Sequence, residues 1–169
     1  MKLNYFIIPV LGVLVFSLGG NLVSAQTVRA ECNFSDYLKG LETVRNTTSS
    51  DYIINTRLEL SIRKDLIKKI INCSIDEANN LQSDLDSLKP IDQESEKIQS
   101  KLTSELDQAV SYYKTQAESI NNLGILGSKN LAKKLIDWRS NNYAYLASRV
   151  RNFITWIDNQ DIITAADNR

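Results

Sequence analysis

Two cysteines, a full complement of carboxylates and no histidine define the chemistry open to this chain. Without imidazole there is no side chain whose unperturbed pKa lies near neutrality. Ser-His and Cys-His nucleophile pairs, histidine-ligated haem and the Glu-x-x-His arrangement of di-iron bundles are therefore excluded. The close carboxylate pairs are Asp84 and Asp86, Glu94 and Glu96, and Glu105 and Asp107. Each pair is spaced i, i+2, which on a helix points its members to different sides, so they read as a solvated face rather than an acid–base couple. No catalytic residue, metal site or cofactor is expected, and the chain reads as a non-enzyme.

Cys32 and Cys73 acquire meaning from the compartment. The N-terminus has the layout of a secretion signal: Lys2, an apolar run from Phe6 to Leu18, the break Gly19-Gly20-Asn21, and small residues at Val23-Ser24-Ala25. Cleavage after Ala25 is expected. The rival is retention as a membrane anchor, for which Pro9, the glycines and Asn21 make a poor span. Cys32 follows Arg-Ala-Glu, not the small apolar residues that precede a lipidated cysteine. In an oxidising exterior an even pair of cysteines reads as a structural disulfide. An intermolecular bond or two free thiols are the alternatives. Three Asn-x-Ser/Thr triplets, at Asn33, Asn46 and Asn72, read as chance in a chain rich in Asn and Ser.

Charge is balanced overall, with 20 basic and 20 acidic residues, so nothing in bulk points to nucleic acid. It is segregated along the chain. Residues 57–69 and 129–151 are basic and residues 76–107 are acidic. An acidic helix pairing with basic neighbours explains this; a basic stripe meeting anionic lipid or envelope polymer is the sharper reading.

The elements that must carry these residues are helical. Beyond residue 25 there are only three glycines (Gly40, Gly124, Gly127) and one proline, Pro90. Phe34, Leu38, Leu41 and Val44 form one side of a short helix over about 35–46, capped by Ser35. Ile54, Leu58, Ile62, Leu66 and Ile70 recur at steps of four, and Ala78, Leu81, Leu85 and Leu88 continue in phase. One helix over about 50–88 is expected, although Ser74 to Glu77 would also serve as a capping box for a new one. Ile98, Leu102, Leu106, Ala109, Tyr113, Ala117 and Ile120 give an 11-residue repeat over about 91–122. Ser128 should cap a last helix over about 128–158, with Leu131, Leu135, Trp138, Leu146, Val150, Phe153 and Ile157 inward. The fold class is all-α: an elongated antiparallel bundle of three long helices with one short N-terminal helix. Residues 26–158 form the domain, and 159–169 form a polar tail expected to fray. A Cys32–Cys73 bond requires residues 32–35 to be extended, because α-helix at 1.5 Å per residue would not reach.

Two features exceed what a core needs. Tyr112 and Tyr143 fall off the apolar stripes of their helices: their ordinary reading is still core, and their functional reading is exposed rings available to glycan or protein. The loop carrying Leu123, Ile125 and Leu126 is apolar where a hairpin tip is normally polar. Its ordinary reading is packing against residues 47–50 and the first helix. Its functional reading is a tip that docks a partner or dips into membrane. Taken together, the sequence implies an exported binding or structural module of the cell envelope or extracellular space, with self-association possible. The alternative is a helical holdase or a bundle that carries a small apolar ligand.

Overall fold

The computed structural model describes residues 32–47 and 52–167, so the expected secretion signal and its cleavage after Ala25 lie outside the described residues. The chain is all α, with α1 Ser35–Asn46, α2 Tyr52–Asp86, α3 Gln93–Glu118, α4 Ile125–Trp138, α5 Ala144–Asp158 and α6 Gln160–Asp167. No described helix is long and apolar enough to cross a membrane.

The long second helix is continuous through Cys73. Ser74, which could have capped a new helix, instead donates its hydroxyl back to Ile70 O at 2.9 Å, and its backbone stays helical. The genuine capping box lies at the start of α3. Asp92 accepts from Ser95 N at 2.7 Å, and Ser95 Oγ accepts from Asp92 N at 3.0 Å. The Ser95 N–H holds the Asp92 carboxyl below its usual range.

Cross-helix contacts establish the bundle. Along α2, Leu85, Gln82 and Lys64 meet Gln99, Asp107 and Asn121 in turn, so α3 runs antiparallel to α2. Gln116 with Lys134, and Glu105 with Arg149, set α4 and α5 antiparallel to α3. Arg45 with Glu59, and Cys32 with Cys73, do the same for α1 and α2. Residues 32–34 stay out of the helix, and the Cys32 and Cys73 Cα atoms lie 6.0 Å apart. The expected extended stretch 32–35 is shorter, since Ser35 is already helical and Phe34, at φ −113° and ψ 2°, is not extended. Asn33 rather than Ser35 satisfies the helix start, its Oδ1 accepting from Ser35 N at 2.9 Å.

The main core runs between α2, α3 and the α4–α5 pair. Ile71, Ala78, Leu85, Leu106, Ile120, Tyr143 and Val150 are fully inaccessible within it. Each fully buried aliphatic side chain stabilises the fold by about 1.5–3 kcal/mol. Leu41, Val44 and Leu66 are buried outside that cluster, and α1 makes its main contacts with α2.

Several expected core positions are corrected. Ile54 and Leu58 are 59% and 48% exposed, and Ile98 is 38% exposed. The apolar stripe of α2 extends past the place where α3 ends and α4 begins, where only α1 still packs on it. Lys64 closes the main core there by donating to Asn121 O at 2.7 Å. At about 1.5 Å per residue, the first turns of α2 overhang this point by roughly 18 Å. The tail expected to fray instead forms α6, in which Ile162 and Ile163 remain exposed.

Candidate functional site

The last helices do not run straight. Between α4 and α5 the backbone widens to a π-turn over Arg139–Tyr143. A regular stripe of Leu131, Leu135 and Trp138 would bring Asn142 inward next. The extra residue of the π-turn shifts the phase by one, so that Tyr143 enters the core and Asn142 stays exposed. Tyr143 is thus wholly buried, which overturns its reading as an exposed contact residue. Placing an aromatic ring inside and an amide outside favours this phase, since a buried amide would need several hydrogen bonds.

Tyr112 is half-buried. It leaves the stripe of Tyr113 but is covered on one face by Trp138 at the end of α4. Its ring stacks on Trp138 with centroids 4.0 Å apart and planes within 11°. Trp138 continues the stack towards Tyr143 at 6.4 Å, and the Arg139 guanidinium lies 5.0 Å from the Tyr143 centroid. Tyr113 stands edge-on to Tyr112, Trp138 and Tyr143, at interplanar angles of 70°, 79° and 73°. Such offset and edge-to-face pairs are worth about 0.5–1.5 kcal/mol each beyond the area they bury.

Partly exposed ion pairs link the helices around this aromatic block. Glu77 accepts from Arg139 and from Arg151, each at 2.7 Å, and Arg149 donates to Glu105 at 2.7 Å. These are the expected contacts of acidic segments with a basic last helix. Elsewhere Arg63 and Arg45 together hold the Glu59 carboxyl below its usual range, against the upward push of burial.

The hydroxyls of Tyr112 and Tyr143 are buried without a hydrogen-bond partner among the described residues, whereas that of Tyr113 lies beside the polar groups of Ser74 and Arg139. Burial pushes the Tyr143 phenol well above the usual tyrosine range; the Glu77 charge adds to this and Arg139 opposes it. Tyr113 shifts the same way for the same first reason. A raised native value means that the folded state keeps its proton where the unfolded chain loses it. Stability is therefore fully present below about pH 10 and is lost as pH climbs towards the native value, by about 1.4 kcal/mol per pH unit for each such phenol. Tyr143→Phe should make alkaline unfolding shallower by that amount. At pH 7 it should leave stability unchanged or raised, since an unpaired buried hydroxyl is removed. Urea titrations at pH 7 and pH 11 measure both effects, and a neutral-pH loss above about 1 kcal/mol would show a bonded hydroxyl.

Outside the stack, Tyr112 and Trp138 line an open groove of about 480 Å³. Its rim comes from α4 and the π-turn. Asn130, Lys134 and Asn141 share the rim with Trp138 at steps of 4, 4 and 3, one helical face. Lys133 also lines the groove but is paired with Asp137 at 2.9 Å. Lys134 meets the neutral Gln116 Oε1 at 3.1 Å. In the sequence Tyr112 stands out only as an off-stripe tyrosine, and Trp138 fits the core pattern, so neither points to this groove or its rim. The polar stripe 130, 134, 141 flanking a tryptophan was the signal available.

The apolar tip is not brought to this groove by any contact described. Leu123 packs against the main core, Ile125 is half-buried, and Leu126 is 70% exposed. Gly124, not Ser128, stands at the helix boundary, so α4 starts three residues early and takes up most of the expected loop. Ser128 is buried in the first turn, its hydroxyl donating to Ile125 O at 2.7 Å. The tip sits at the level of Lys64 rather than at the start of α2. No protein-family model, curated protein or solved structure matches this chain, so what the groove does must be argued from its own residues.

Proposed function

We propose that this chain is an exported, non-enzymatic helical module that binds a component of the cell envelope or extracellular space. The observation that carries the reading is the groove itself. Tyr112 and the edge of the Trp138 ring stacked behind it, held in place by Tyr113 and Tyr143, form an apolar floor beside amide and lysine side chains on an open surface. Open grooves with a preformed apolar floor and a few polar groups suit recognition. The Cys32–Cys73 bond fits an oxidising compartment, which supports export.

Protein lacking residues 1–25 should be retained saturably by the envelope fraction of the cells that produce it. The triple variant Asn130→Ala, Lys134→Ala, Asn141→Ala should lose about tenfold in retention, because exposed rim contacts each contribute modestly. Equal retention of the variant would overturn the reading. A holdase is the second reading, favoured by Tyr52, Ile53 and Leu58, which are 80%, 60% and 48% exposed on the overhang of α2. It requires that the protein suppress aggregation of an unfolded client and that Tyr52→Ser, Ile53→Ser and Leu58→Ser abolish that suppression. Self-association or membrane contact would engage the same apolar end, together with Leu126.

A further inference from the structure

We infer that the Tyr112–Trp138 groove takes an acidic glycan, a run of pyranose rings bearing carboxylates. The inference rests on the binding-module reading and names its ligand class. A pyranose ring has an apolar C–H face and an edge of hydroxyls, so it needs an aromatic surface flanked by groups that both donate and accept. Tyr112, whose other face is stacked on Trp138, supplies the surface, and the edge of Trp138 lines the groove beside it. Asn130 and Asn141 supply exposed amides, each with two donors and an acceptor, on either side of it along one helical face. The rim residues recur once per turn, about 5.4 Å, close to the length of one sugar unit.

Charge selects the acidic member of the class. Within the groove Lys133 is neutralised by Asp137, whereas the partner of Lys134 is an uncharged glutamine, so one ammonium is left without a counter-charge in the groove. The exposed Lys129 lies one residue before the rim. A carboxylate on the sugar would complete Lys134 with a charge-assisted hydrogen bond. A single uncompensated cation is too little for a phosphodiester backbone, whose binding grows with each phosphate neutralised. The openness of the groove suits a chain passing across the surface rather than an engulfed small molecule.

The test is titration of tryptophan fluorescence and calorimetry with hexagalacturonate, using maltohexaose and hexathymidylate as comparison probes. Hexagalacturonate should bind saturably, about tenfold more tightly than the neutral hexamer, and weaken as salt rises. Lys134→Gln should lose about that tenfold preference while melting at the wild-type temperature, because its side chain is exposed. Absence of saturable hexagalacturonate binding, an unaffected Lys134→Gln variant, or tighter binding of hexathymidylate would each overturn the inference. If hexagalacturonate fails while envelope retention still depends on the rim, only the ligand class falls. If rim-dependent retention is absent as well, the binding-module reading falls with it.

Discussion

Trp138→Ala should cost about 3–5 kcal/mol of folding stability, the range for deleting a large aromatic side chain from a packed site. The expectation follows from position. Trp138 lies in the stack between Tyr112 and Tyr143, with Tyr113 edge-on, so its removal separates three rings at once. The gap cannot close readily, because the π-turn that begins at the next residue sets how Tyr143 enters the core. Urea unfolding measures the effect. Trp156 is the internal comparison: it is 40% exposed and packs on Phe153 alone among the aromatic contacts described, so Trp156→Ala should cost about 1 kcal/mol or less. A Trp138→Ala loss no larger than that of Trp156→Ala would mean that the aromatic block is not a stability centre. The same variant should also lose envelope retention, since it removes the floor of the groove.

Removing the disulfide should produce a loss of similar size but of a different kind. Closing a loop of 41 residues is worth about 4 kcal/mol in the chain-entropy description. That free energy bears on α1 rather than on the whole bundle. The helix is 12 residues long, too short to persist alone, and its buried anchors are Leu41 and Val44. Beyond the disulfide it holds Glu59 through Arg45 at 3.4 Å and lays Gly40 against Ile62. Cys32 is exposed, so Cys32→Ser opens the tether without leaving a core cavity. Amide exchange should quicken by about a thousandfold over residues 38–44, the equivalent of that free energy, while the amides of α3 and α5 keep their protection. Uniform loss of protection across the chain would mean that α1 is an integral part of the bundle. Unchanged protection in α1 would mean that apolar contact alone holds it.

The stripes legible in the sequence were right about which residues are apolar for a reason and less right about which partner each one meets. Leu102, Leu106, Ala109, Tyr113 and Ile120 all reach the core as their 11-residue repeat requires, because α3 is enclosed by α2 on one side and α5 on another. Ile54 and Leu58 belong to an equally regular stripe and stay exposed, because α3 ends and α4 begins opposite Lys64. Periodicity reports a helix face; it carries no record of how far the neighbouring helix extends. Of the groove, only Tyr112 stood out in the sequence, as off-stripe, and being off-stripe is what lets it border both the stack and the surface. Trp138 satisfied the core pattern, and that pattern concealed its second role.

By itself the sequence determined the all-α class, the approximate spans of α1, α2 and α3, and the reach that a Cys32–Cys73 bond would demand, because these depend on local propensity, spacing and chain geometry. Tertiary structure decided the phase of the last helix, the burial of Tyr143 in place of Asn142, and the early start of α4 at Ile125. It also decided which apolar residues are left uncovered. Each of those depends on a balance between a small local cost, such as one widened helical turn, and the larger gain of burying a ring against helices distant in the chain.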